Sequence, residues 1–186
     1  LGIVGIAIGI VLLPDLSRQL RSGRMDLVDH TQNRSLEFAM ALTLPAAVAL
    51  VVMSVPIINV LFQRASFGAA DTVATAEALA AFAVGLPAFV MVKVFSPGFF
   101  AREDTRTPML FAGASVAVNI AVSLMLFPYL AHIGIAIATS LAGWVNALLL
   151  AETLRRRGQF TFDSLLRKRF PLLVAASVAM GICLYG

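Results

Sequence analysis

The sequence predicts an all-α integral membrane protein, a bundle of about four complete and two truncated transmembrane helices. Three observations carry this expectation. The chain is 60% apolar and only 13% charged, with a mean hydropathy of +0.92, far outside soluble globular usage. Its apolar residues form runs near the roughly 20 residues a helix needs to cross a hydrocarbon core about 30 Å thick. The runs are continuous rather than alternating, which argues against a barrel, and a helix satisfies its own backbone groups inside lipid.

The elements follow in chain order. The first run, residues 1–13, ends at Pro14 and would rise only about 20 Å at 1.5 Å per residue, so it reads as a truncated span. It has neither the basic n-region nor the cleavage site of a signal peptide. Leu36–Phe62 is the second segment, with Pro45 and Pro56 inside it, and Ala74–Phe95 the third, with Pro87 beside Gly85. Prolines within spans kink helices and free carbonyls, a property shared by proteins that rock between two states and by static bundles. Met109–Leu130 and Ile133–Leu154 are the fourth and fifth, antiparallel neighbours. On the fifth, Gly134, Ala138, Ala142 and Asn146 share one face, and Thr139, Gly143 and Ala147 another, at the spacing of a close helix–helix contact. The last run, residues 170–186, is again short. With a first residue Leu1 and both ends in apolar runs, the chain reads as an internal fragment of a larger polytopic protein.

The loops alternate in charge. The first holds Arg18, Arg21, Arg24 and Arg34, the third Arg102 and Arg106, and the fifth Arg155, Arg156, Arg157, Arg167, Lys168 and Arg169. The second has Arg64 alone, and the fourth, Phe127–His132, has no lysine or arginine. The positive-inside rule therefore puts the odd loops in the cytoplasm. A pI near 10 would suggest nucleic acid in a soluble protein, whereas here the bases flank spans, so no nucleic acid is expected. Met25–Arg34 and Phe160–Arg169 are long enough for short interfacial segments with bases toward headgroups. Ordinary topology-setting charge and specific binding of membrane lipid both fit them.

One loop differs from the others. Val92–Pro108, VKVFSPGFFAREDTRTP, breaks an apolar run at Ser96-Pro97-Gly98, packs two acids and two bases into Arg102-Glu103-Asp104-Thr105-Arg106, and re-enters an apolar run at Pro108. Proline lacks a helix N–H and restricts the residue before it, so a helix end is predicted near Ser96. Thr107 is predicted as the next N-cap, with Pro108 in the first helical position. The near-zero net charge of this loop suits specific pairing rather than the coating of anionic lipid.

Catalytic signatures are missing, and the chain reads as no enzyme: it has no phosphate-cradling loop with a lysine, no paired-histidine metal spacing and no nucleophile beside a base. His30 and His132 fall on opposite predicted sides, and Cys183 is the lone cysteine. Lys93 is the one basic residue within a span. A cavity-facing role and snorkelling to headgroups one turn away both fit it. Asn119 and Ser123 share a helical face, with Ser115 a turn earlier and Thr139 and Asn146 on the neighbouring span. They read as cross-helix hydrogen bonding or as a small-cation site that lacks a carboxylate.

LLPDLSRQLRSG at Leu12–Gly23, LFQRASFGAADT at Leu61–Thr72, VKVFSPGFFAREDTRTP at Val92–Pro108, and WVNALLL followed by LRRRG resemble, in order and spacing, the MurJ/MviN family of lipid II flippases in the MOP exporter superfamily. The resemblance covers essentially the whole chain. It implies a two-lobed, fourteen-helix transporter of the bacterial cytoplasmic (inner) membrane, of which this chain holds the end of helix eight through the start of helix thirteen. The implied task is to flip lipid II, the undecaprenyl-pyrophosphate-linked muropeptide of peptidoglycan synthesis, to the periplasmic leaflet by alternating access. The implied partners are lipid II, membrane lipids and the amino-terminal lobe of the same chain. Lys93, Arg102, Glu103, Asp104, Thr105 and Arg106 become candidates for substrate contact or gating at the cytoplasmic mouth, with Arg102 or Arg106 pairing to Glu103, to Asp104 or to the other lobe. Asn119, the backbone of Ile135, and Thr139 match places where some members hold Na⁺, but Ser123 stands where those have an acid. No cofactor is implied beyond coupling to Na⁺ or to the membrane potential. The competing readings are a flippase for another polyprenyl-linked glycan, a non-transporting membrane scaffold, and an enzyme on lipid-linked sugars using Glu103-Asp104.

Overall fold

The computed structural model describes residues 2–62 and 68–185; Arg64 and the centre of the Leu61–Thr72 segment lie outside the described residues. The described residues form six helices: α1 (Gly2–Arg21), α2 (Met25–Val52), α3 (Ser54–Phe62), α4 (Ala69–Phe100), α5 (Arg106–Arg156) and α6 (Ser164–Tyr185). α4 is the central one, packed by α1, α2, α3 and α5, while α6 rests on α2. Segments Met25–Val52, Asp71–Phe100, Arg106–Arg156 and Leu165–Tyr185 are long and apolar enough to cross a membrane.

At 51 residues, α5 would rise about 77 Å if straight, more than twice a hydrocarbon core of roughly 30 Å. It instead reverses at Ala131, where φ is 46° and ψ −125°. Ser115 Oγ donates to the Ala142 carbonyl at 2.7 Å, and Gly134 sits so close to Leu126 that a Cβ there would lie 2.9 Å from the leucine Cβ. α5 is thus an antiparallel hairpin with its tip in the predicted uncharged loop, and His132 at the tip meets the Ala74 carbonyl at 3.2 Å.

Small residues let α4 and the returning arm of α5 approach closely. A Cβ on Gly85 would fall 2.9 Å from Ser140 Cα, and one on Gly143 2.6 Å from the Phe89 ring. Ser140 Oγ donates to the Ala81 carbonyl at 2.6 Å, and Trp144 Nε1 to the Val84 carbonyl at 3.1 Å. Ala138, Ala142 and Ala147 are buried, so the predicted small-residue faces are packing faces. In lipid such contacts work through close approach and hydrogen bonds, because apolar side chains gain nothing by leaving hydrocarbon for protein.

Four boundaries differ from expectation. The helix predicted to end near Ser96 runs on through Pro97 to Phe100. Its far side is fully packed there by Val94, Phe95 and Phe99, all 0% exposed, which outweighs the loss of one backbone hydrogen bond. Pro14 likewise does not end α1, which continues to Arg21 with Leu16 completely buried. The predicted span Leu36–Phe62 is two helices broken at Met53, three residues before Pro56 removes the bond to the Val52 carbonyl. Met25–Arg34 is no separate surface helix but the first turns of α2, with Val28, Gln32 and Asn33 buried against protein.

Candidate functional site

The three basic loops meet at one end of the bundle, where the buried core cluster also lies. The sequence builds three helix ends there in the same way. After α1, Arg24 N–H reaches the Gln19 carbonyl and Gly23 N–H that of Leu20 (φ of Gly23 71°). After α5, Gln159 and Gly158 repeat the pattern onto Leu154 and Arg155 (φ of Gly158 64°). Left-handed glycine after a helix is the usual Schellman ending. After α4, Asp104 and Glu103 close onto Phe99 and Phe100, with Glu103 in the left-handed position at φ 61°. Glu103→Gly is therefore expected to raise the unfolding free energy by about 1 kcal/mol, the approximate penalty of a side chain in that conformation. A lowered melting temperature would instead assign Glu103 a contact that outweighs the strain.

Asp104 organises the turn. Its Oδ1 accepts the backbone N–H of Thr107 at 3.0 Å. Its Oδ2 accepts Thr107 Oγ1 at 2.7 Å and Arg157 Nη1 at 2.6 Å. Arg157 Nη2 also donates to Thr107 Oγ1 at 3.1 Å, and its guanidinium lies 5.8 Å from the centre of the Phe99 ring. The Arg157 bond and the two bonds from Thr107 hold the Asp104 carboxyl down at about 2. The N-cap position of α5 is Thr105 rather than the predicted Thr107, and Asp104 just before it supplies the carboxylate that accepts the first-turn N–H of Thr107.

The sequence reading offered Arg102 a pairing with Glu103 or Asp104, and in the structure it bonds to neither. Its Nη1 donates to the Gly98 carbonyl at 2.6 Å and its Nη2 to the Gln159 carbonyl at 3.3 Å, tying α4 to the α5–α6 connector. Burial lowers its guanidinium from the ordinary value, partly offset by Asp29. Glu103, Thr105 and Arg106 are exposed.

Sequence reasoning missed the groups that hold the connector. Asn33, 1% exposed, donates through Nδ2 to the Asp29 and Thr161 carbonyls, both at 2.8 Å, and accepts the Asp163 N–H at 3.2 Å. Thr161 Oγ1 donates to Asp29 at 2.9 Å. Arg34 bridges Glu37 and, at 3.1 Å, Asp163, while Arg169 reaches Glu37 at 2.8 Å. Phe160, predicted as interfacial, is 0% exposed and stacks edge-on against Phe95 at 5.5 Å and Phe162 at 5.1 Å. An asparagine in a polar, charged stretch carries no local mark of such a role.

The remaining candidates lie elsewhere. Lys93 is exposed beside a groove of about 420 Å³ between α1 and α4, whose walls include Gly9, Leu13, Val92 and Ser96. Ser123 Oγ donates to Asn119 Oδ1 at 3.2 Å, and Thr139 Oγ1 to the Ile135 carbonyl at 2.8 Å. Each pair stays on its own arm of α5, and among the described residues no hydrogen bond joins the two. Arg18, Arg21 and Arg24 end α1 and precede α2, and Arg155, Arg156 and Arg157 end α5, all at the basic end.

An all-α bundle with four helices long and apolar enough to cross a membrane, its described loop cations gathered at one end, defines a multi-pass membrane protein. The family model described as lipid II flippase MurJ matches residues 1–186. The chain belongs to that family. It is 56% identical over 185 residues to a probable lipid II flippase MurJ of Rhizobium meliloti and 51% identical over 186 residues to one of Rhizobium tropici; each alignment takes in 100% of this chain and 35% of the relative. It is also 29% identical over 182 residues to the lipid II flippase MurJ of Burkholderia cenocepacia, across 96% of this chain and 34% of that protein. The chain thus spans about a third of the length of these curated relatives.

Proposed function

We propose that the full-length protein flips lipid II from the cytoplasmic to the periplasmic leaflet of the bacterial inner membrane, by alternating access, during peptidoglycan synthesis. The family match along the entire chain carries this reading. The polar, charged end described above would face the cytoplasm. There the Asp104–Arg157–Thr107 contact would act as a latch that is remade on each inward closure, and Arg106 would pair with the amino-terminal lobe. A sodium gradient or the membrane potential would drive the return.

The test is complementation. The full-length gene is expressed in a bacterium whose own lipid II flippase can be shut off, and survival is scored with lipid II exposed at the periplasmic face. Rescue with restored exposure is expected; good membrane expression without rescue would overturn the reading.

The latch has its own test. Asp104→Ala and Arg106→Ala are each expected to lower flipping up to about five-fold with normal membrane insertion, since an exposed pair contributes only ~0–1 kcal/mol. The exchanged pair Asp104→Arg with Arg157→Asp should recover part of what Asp104→Ala loses. Full activity of Asp104→Ala and Arg106→Ala would remove the latch. Its pH dependence has a fixed sign. A carboxyl lowered in the folded state stabilises above its unfolded range and loses that contribution only as pH falls through about 2. The flipping defect of Asp104→Asn should therefore be the same at pH 5 and pH 8, and a defect that vanished at pH 5 would place the proton elsewhere.

A further inference from the structure

Two adjoining cavities under the α5–α6 connector share Phe162 and Arg167. The outer one, about 470 Å³, is bordered by Arg155, Thr161 and Arg167. The inner one, about 380 Å³, is apolar, walled by Leu36 and Met40 of α2, Met91 of α4, and Leu166, Phe170 and Pro171 of α6.

The arginines at this mouth stand apart from their neighbours. Arg156 is bonded to Glu152, Arg157 to Asp104, Arg169 to Glu37 and Arg34 to Glu37 and Asp163, so the nearby carboxylates are already engaged. Arg155 and Arg167 are exposed and, among the described residues, have no side-chain hydrogen bond or ion pair. Lys168 borders neither cavity. Topology-setting charge requires only that cations lie near the span ends. It does not require two unpaired guanidiniums over a cleft that continues as an apolar groove beside membrane-length helices.

We propose that this cleft seats one anionic glycerophospholipid of the leaflet at the basic end, its phosphate between Arg155 and Arg167 and part of one acyl chain in the groove beneath Phe162. Guanidinium groups match phosphate oxygens in charge and in donor geometry, and a basic site at the membrane surface draws anionic lipid. A soluble anion would leave the groove unfilled, and a neutral lipid would leave the arginines unmatched. The lipid would brace the connector that Asn33 also holds, and this role does not depend on which glycan-lipid the protein moves.

The experiment uses the full-length protein, delipidated in detergent and titrated with phosphatidylglycerol or phosphatidylcholine, with bound lipid counted by native mass spectrometry. Phosphatidylglycerol is expected to bind in preference. Its apparent affinity should fall about five-fold with each of Arg155→Gln and Arg167→Gln, and ~25-fold with both. Arg156→Gln, which removes the same charge outside the cavities, should change nothing. Met91→Trp and, on a more exposed wall, Phe170→Trp should fill the groove and weaken binding with both arginines intact. Unchanged affinity in the double arginine variant would overturn the proposal. So would an equal loss in Arg156→Gln, since net charge alone would then explain binding. Unaltered binding in both tryptophan variants would remove the acyl seat. Displacement of phosphatidylglycerol by purified lipid II at lower concentration would assign the cleft to the transported lipid instead.

Discussion

Asn33→Leu is expected to release the α5–α6 connector and to lower stability by about 2–4 kcal/mol. The side chain is 1% exposed and makes three hydrogen bonds, two of them to connector backbone: the Thr161 carbonyl and the Asp163 N–H. Leucine has nearly the same bulk but offers no partner, and each backbone group left unmatched in a part-buried place costs roughly 1–3 kcal/mol. The damage should spread. Asp163 also receives Arg34, and Phe160 enters the core two residues before Phe162, so a loosened connector withdraws an aromatic plug from beside Phe95. A thermal melt of the full-length protein in detergent reads the first effect, and limited proteolysis between Arg157 and Asp163 reads the second. A variant with wild-type melting and no new cleavage would show that the clamp contributes little.

Gly85→Val is expected to be as severe, for a steric reason. The first added carbon alone would lie 2.6 Å from Ser140 Oγ and 2.9 Å from Ser140 Cα, and a backbone atom has no rotamer by which to move away. The returning arm of α5 would have to shift outward. That shift breaks the Ser140–Ala81 and Trp144–Val84 bonds together. Overpacking costs typically ~1–3 kcal/mol and each lost hydrogen bond about 1 kcal/mol more, for a total near 3–5 kcal/mol. A compensating pair checks the geometry: Gly85→Ala should be clearly destabilising alone and partly restored by Ser140→Gly. Wild-type melting of Gly85→Val, or no recovery in the pair, would mean the two helices do not approach as described.

Much of the fold was legible because membrane spans are a composition problem. The alternation of charge between Arg18, Arg21 and Arg24, the uncharged Phe127–His132, and Arg155 to Arg157 placed three loops on one side, and their hydrogen bonds join them there. Gly23 and Gly158 close two helix ends in the left-handed conformation, and the third falls at Glu103, a residue that marks no such end. Prolines misled more than they helped. Pro14 and Pro97 lie inside helices because neighbouring packing outweighs one missing bond, whereas Pro56 coincides with a real break at Met53. At the candidate site, Asp104 was legible as a charged loop residue, but its partner was not. Arg157 is 53 residues away, and the adjacent Arg102 and Arg106 were the obvious choices.

By itself, then, the sequence determined the class of protein, its apolar segments of membrane length and the alternate loops in which its cations gather. Those follow from transfer free energies summed over short windows, which need no knowledge of neighbours. Only the tertiary structure decided which carboxylate meets which guanidinium, that Asn33 and Phe160 fasten the connector, and that Arg155 and Arg167 remain unpaired over a cleft. These depend on distances between residues far apart in the chain. Many pairings of the chain's ten acids and fourteen lysines and arginines have similar local energies, and only the packing of α4 against its neighbours selects among them.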